Sequence, residues 1–325
     1  MHCPEPPPDE SKLSISHLAR LYCRERLLVE PFLWTSRHVE LLQFTFEPPT
    51  IAPSLLQPGE AQPTGLPQKY ACVDLVRNFV RGGNVGPTWR ESAIFTLMDR
   101  PGSPFVALAD NLTFNFKHCC VRTLECLTLY HGDLEAAKRR RIPPFAIFFD
   151  REHVEYKRLQ FVNGGSTRTL KGWRHGRRKR QTPQTLALFN AKLKKLTPPN
   201  PLHDPYTVAV LISLAQAQRY HLRVMEPEKD ADAVFLAQVL FLDPSDTNHL
   251  HLFATDISSS FLDKLDFPTV PPSDFAQTSA SIRHTVVPCE PFETLRHRIF
   301  KLLLPSFGMQ EQNSKDQQIN KSDHS

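Results

Sequence analysis

The sequence is poor in the signatures that announce chemistry. Its seven cysteines (Cys3, Cys23, Cys72, Cys119, Cys120, Cys126 and Cys289) are odd in number, irregularly spaced and without a CxxC pair. That excludes a disulfide framework and a standard zinc module, and fits a reduced compartment. His118, Cys119, Cys120 and Cys126 cluster, but without the two separated pairs that a structural zinc site needs. No G-x-S-x-G or Cys–His context supports a hydrolase. Gly82, Gly83 and Gly86 lack a following GK[ST], so they read as a helix end and turn rather than a phosphate loop. No apolar run approaches the roughly 18 residues that span a bilayer, so no membrane segment is expected. The first residues, MHCPEPPPDESK, have no basic and apolar halves, so no secretory signal is expected. Glycine is scarce, at 12 in 325 residues, while proline reaches 29, which predicts a globular body interrupted by irregular segments.

What is present is apolar. Hydrophobic residues make up 40% and include 22 Phe, ample for a core. The strongest stretch runs from Asp204 to Phe267. Asp204-Pro205 is a helix start, an acceptor side chain before a residue with no N–H. The following YTVAVLISLAQAQR is apolar around most of its circumference, which predicts a central buried helix. After an acidic turn at 226–232, VFLAQVLFL (234–242) reads as a strand buried on both faces. HLHLFATDI (249–257) alternates, and the six-residue polar turn between the two runs predicts a hairpin. Ser258 to Ser260 cap a short helix over 261–265, stopped by Pro268.

These residues, DPYTVAVLISLAQAQR, VFLAQVLFLD and LHLFATDISSSFLDKLDFP, resemble a group of uncharacterised proteins of filamentous fungi, mainly over residues 204–270. The resemblance implies a shared core and a lineage. It carries no activity and no catalytic or binding residue.

Elsewhere the pattern predicts a helix over 13–29, capped by Ser11 or Ser14, and a strand over 39–46. It predicts a proline-rich loop over 47–68 and a helix over 71–81. Strands follow at 93–98, 105–116, 145–149, 154–162 and 282–287, with 119–130 open between strand and helix. Short helices are expected over 133–141 and 184–196, and a C-terminal helix over 290–304. The sum is an α+β fold, a mixed or mainly antiparallel sheet packed by helices. One main domain spans 13–304, with disordered ends at 1–12 and 305–325.

Residues 163–203 differ in kind, as they contain no Asp or Glu. They carry Arg168, Lys171, Arg174, Arg177, Arg178, Lys179, Arg180, Lys192, Lys194 and Lys195, ten positive charges in a chain of net +5, which leaves −5 for the rest. Arg177 to Arg180, then eleven residues, then Lys192, Lys194 and Lys195 have the form of a bipartite nuclear import signal. An import receptor is one expected partner and the nucleus the expected location, with the cytoplasm as alternative. Nucleic acid is the other partner, its phosphates neutralised by the same charges, with Trp173 and His175 available for stacking. No pattern speaks to the oligomeric state.

Two weaker constellations remain. Asp150 with Glu155-Tyr156-Lys157 has the form of a PD-(D/E)xK nuclease site, if 154–162 is a strand. There the two carboxylates hold magnesium and the lysine polarises water. His249 and His251 share a strand face and suit a metal with Asp243 or Asp256, or are ordinary exposed polar positions. The sequence therefore favours a non-enzymatic nuclear protein with no cofactor. The alternatives are a metal-dependent nuclease and an accessory protein of a fungal biosynthetic pathway without chemistry of its own.

Overall fold

A computed structural model describes residues 12–52, 86–99, 103–162, 183–271 and 279–304. The ends at 1–11 and 305–325, most of the proline loop, the expected helix 71–81, Gly82 and Gly83, and Arg174, Arg177, Arg178, Lys179 and Arg180 lie outside the described residues.

The chain folds around an open, mixed eight-stranded sheet. In chain order come α1 (Ile15–Leu21), α2 (Ser36–Leu41), β1 (Phe44–Phe46), β2 (Thr50–Ile51), α3 (Pro87–Met98), β3 (Phe105–Phe116) and β4 (Cys119–His131). Then follow α4 (Leu134–Lys138), β5 (Pro144–Asp150), α5 (Arg151–Val162), α6 (Pro183–Leu196), α7 (Pro205–Met225), β6 (Val234–Leu242), β7 (His249–Ser258), α8 (Ser259–Asp266), β8 (Ala280–Pro288) and α9 (Phe292–Leu303). The strand order is β1-β8-β7-β6-β5-β4-β3, with β2 also on β8. β1 and β2 run parallel to β8, and β5 parallel to β6; the other pairs are antiparallel. The α+β, mixed-sheet expectation holds.

Helices cover both faces, which explains strands without a polar side. Along β5, Ile147 and Phe149 pack towards α7, while Ala146 and Phe148 face α3 and α9. β6 splits likewise, Val239 and Phe241 to one core, Leu240 and Leu242 to the other. α7 is the expected central helix: Val208 to Ile212 are each at most 1% exposed. Asp204 caps it, accepting from Tyr206 N at 2.9 Å. The β6–β7 hairpin, the Ser258 cap of α8 and the last strand and helix also stand as expected.

Five expectations need correction. The helix expected over 13–29 is only α1, which ends at Leu21 with Tyr22 as its C-cap. Residues 93–98 belong to helix α3, which follows Gly86 directly and buries Ala93, Ile94, Leu97 and Met98 at helical spacing. Residues 154–162 belong to helix α5, whose buried positions are Val154 and Arg158, one turn apart. The strand expected over 39–46 is α2, ended by Gln43 at φ 61°, and then only β1. The proline loop begins with β2: Glu47-Pro48-Pro49 interrupts the edge and Thr50–Ile51 returns to β8. Prolines suit an outer edge, where a missing N–H breaks no ladder.

Candidate functional site

The carboxyl end of β5, the middle of β3 and β4, and the first turns of α3 and α5 enclose a groove of about 220 Å³. Glu91, Asp110, Glu125, Asp150 and His153 line it. It exists because α5 starts directly after β5, so Asp150 and His153 fall on either side of a sharp strand-to-helix junction. Asp150 accepts from Glu152 N at 2.8 Å and so caps α5.

Three of the groove's carboxylates are partnered. Arg90, itself 6% exposed, donates to Asp150 through Nε and, at 3.1 Å, through Nη2, and also reaches Glu152. Lys157 Nζ lies 2.6 Å from Glu125 Oε2 and holds that carboxyl below its usual range. Tyr130 Oη donates to Asp110 Oδ2 at 3.0 Å. Glu91 is pushed up, first by burial and then by the charges of Asp150 and Glu125. His153 is pushed down by burial and by Lys157, and its Nε2 has no hydrogen-bond partner among the described residues.

This arrangement dismantles the expected nuclease constellation. Glu155 sits on a helix rather than a strand, and Arg151 Nε takes it at 2.8 Å. The same arginine reaches both Asp243 oxygens at 2.8 Å. Of the predicted trio, Asp150 lines the groove and Lys157 reaches its wall, but the glutamate brought to them is Glu125, from β4. Among the described residues no three His, Cys, Asp or Glu side chains are placed to hold a metal ion. The two carboxylates nearest the expected site are each paired with a cation, Asp150 with Arg90 and Glu125 with Lys157. Sequence reasoning missed Arg90 and Glu125; Glu125 stands amid apolar neighbours, and the sheet register alone sets it beside Asp150.

The histidine expectation changes too. His251 is buried and hydrogen-bonds His284 of β8 at 3.1 Å. His249 pairs with Asp246 at 3.0 Å. Asp243 is held by Arg151 and Asp256 by Arg283, so neither joins the histidines. Cys119 and Cys120 are exposed and Cys126 is buried.

Three of the ten basic residues of the segment are described. Lys192, Lys194 and Lys195 are exposed on α6, which buries only Leu196 and rests on α5. None has a carboxylate partner among the described residues. α6 holds no Asp or Glu, and its Leu188 is 58% exposed. It stands on the body as a basic ridge. No helix is long and apolar enough to cross a membrane among the described residues. No protein-family model and no curated protein matches the chain.

Proposed function

We propose that the chain is a non-enzymatic nuclear protein whose basic segment engages nucleic acid, the α+β body serving as its platform. The observation that carries this reading is the unpaired charge on α6. In the body, Arg90, Arg151, Arg158, Lys157 and Arg219 each have a carboxylate partner, whereas Lys192, Lys194 and Lys195 have none among the described residues. Charges left solvated on one ridge, continuous in sequence with six of the remaining basic residues at 171–180, suit a polyanion. Phosphate binding releases counterions, so affinity falls steeply with salt. The same clusters suit an import receptor, which reads exposed basic runs.

The test is anisotropy of a labelled DNA duplex titrated with the full chain across a range of salt. Binding should weaken with salt, and Lys192→Ala with Lys194→Ala and Lys195→Ala should reduce the log–log slope by up to about 0.9 per lost phosphate contact. Salt-independent binding, or none, overturns the reading. A tagged copy with Arg177 to Arg180 changed to Ala should leave the nucleus.

A further inference from the structure

The basic ridge leaves one buried cluster unexplained. In the β7–β8 ladder Phe253 faces His284 and His251 faces Val286, so His251 and His284 are diagonal neighbours on one sheet face. They are 2% and 3% exposed. His251 Nδ1 and His284 Nε2 stand 3.1 Å apart, a distance that requires one hydrogen between them. The other two nitrogens, His251 Nε2 and His284 Nδ1, are buried without a hydrogen-bond partner among the described residues. Phe253 stacks on His284 with centroids 4.7 Å apart, and Phe241 lies 6.2 Å from His251.

The neutral pair is self-consistent: one ring donates, the other accepts. A first added proton places a positive charge in an aromatic pocket. A second sets two N–H donors head to head across 3.1 Å and breaks the contact. The charged and titratable groups facing the pair are few. Asp243 and Asp246, from the β6–β7 turn, favour a charge on His251, and His249 opposes it. Asp246 Oδ2 is 3.6 Å from His251 Nε2, beyond a hydrogen bond, and is shared with His249. His284 faces His251 and His203, which both oppose its charge. Asp243 is already taken by Arg151.

We infer that the His251–His284 pair is an acid-sensitive latch on the β7–β8 seam, closed when both rings are neutral and released when they take protons. What it releases follows from the topology. Among the described residues β8 alone carries β1 and β2, so opening the seam frees that edge of the sheet together. The pH window has a definite sign. Burial, with His251 and His203, pushes His284 down from 6.5 to about 4, and burial also lowers His251. Protons therefore prefer the open state. The seam keeps its full stability above about pH 6.5 and loses it as pH falls towards 4. Within that window His284 multiplies the opening equilibrium by up to about tenfold per pH unit, and His251 acts in the same direction.

Hydrogen–deuterium exchange on the full chain tests the latch, comparing β7–β8 peptides with β4–β5 peptides at pH 7.5 and 5.5 after correction for intrinsic rates. Protection of β8 should drop about tenfold or more beyond any change in β4–β5. His284→Phe, which keeps the stack and removes that ring's titration, should reduce the difference, as should His251→Gln, and the double variant should abolish it. Equal loss across all strands, or no loss, overturns the latch. If neither variant folds, imidazole titration of the unmodified chain by NMR decides. His284 still neutral at pH 5.5 supports the latch, and a midpoint near 6.5 overturns it.

Discussion

Arg158 and Asp204 form a buried, two-pronged ion pair at 2.7 and 3.0 Å between α5 and the first turn of α7. Arg158 is 2% exposed and its Nε also reaches the Phe32 carbonyl at 3.3 Å. The aspartate that caps the central helix is thus the same group that ties α5 and the 3-10 turn Pro31–Leu33 to it.

Breaking this pair strands a charge where water cannot reach. Arg158→Met should therefore cost about 3–5 kcal/mol. Asp204→Asn keeps a good cap and should lose nearly as much by stranding Arg158. The double variant should lose much less than the sum, because no lone charge remains. Urea denaturation measures all three. A loss under about 1 kcal/mol for Arg158→Met would mean that the pair behaves as a solvated surface bridge.

Lys264 on α8 is 5% exposed, with Phe261 below its Nζ at 5.8 Å. Burial lowers it from 10.5 to about 8. The folded state thus releases this proton before the unfolded chain does, and stability rises with pH between those values. Lys264→Met should stabilise the protein by about 3 kcal/mol at pH 7, at 1.36 kcal/mol per unit. The advantage should shrink towards pH 10.5. An advantage identical at pH 7 and pH 10 would remove burial of the charge as its cause.

The thiols divide by environment. Burial pushes Cys126 up to about 11 and Cys289 up to about 12, while Cys23, Cys119 and Cys120 are exposed. Iodoacetamide at pH 8 should label the exposed three quickly, and Cys126 and Cys289 only after unfolding. Peptide mass spectrometry at timed intervals gives the order. Early labelling of Cys126 would show that β4 opens locally.

The groove makes a negative prediction. With Arg90 on Asp150 and Lys157 on Glu125, millimolar magnesium should leave Tm unchanged. A rise in Tm that disappears in Glu125→Gln would establish a cation site there. Arg90→Met should destabilise by about 3 kcal/mol, since it leaves Asp150 buried beside Glu91.

Legibility followed the apolar period. α7, β6 and β7 are readable because most of their buried positions are apolar and their ends carry Asp204, the 243–248 turn and Ser258. α5 was misread because one of its two buried positions is an arginine, which breaks the period a helix would otherwise show. α3 was misread because AIFTLM is rich in strand-forming residues, while its start lies at Gly86-Pro87, six residues earlier. The end of α2 lacked its usual marker: Gln43 takes the left-handed position that glycine normally fills.

The sequence by itself determined the layers, the central helix, the hairpin and the isolation of positive charge in residues 163–203. These follow from local periodicity, caps and counting, which need no partner from elsewhere in the chain. Only the tertiary structure decided which charges meet. Arg90 and Asp150 are sixty residues apart, Arg158 and Asp204 forty-six, and His251 and His284 thirty-three. No local pattern encodes those separations. They are set by the order in which strands join the sheet, and that order places Glu125 rather than Glu155 beside Asp150.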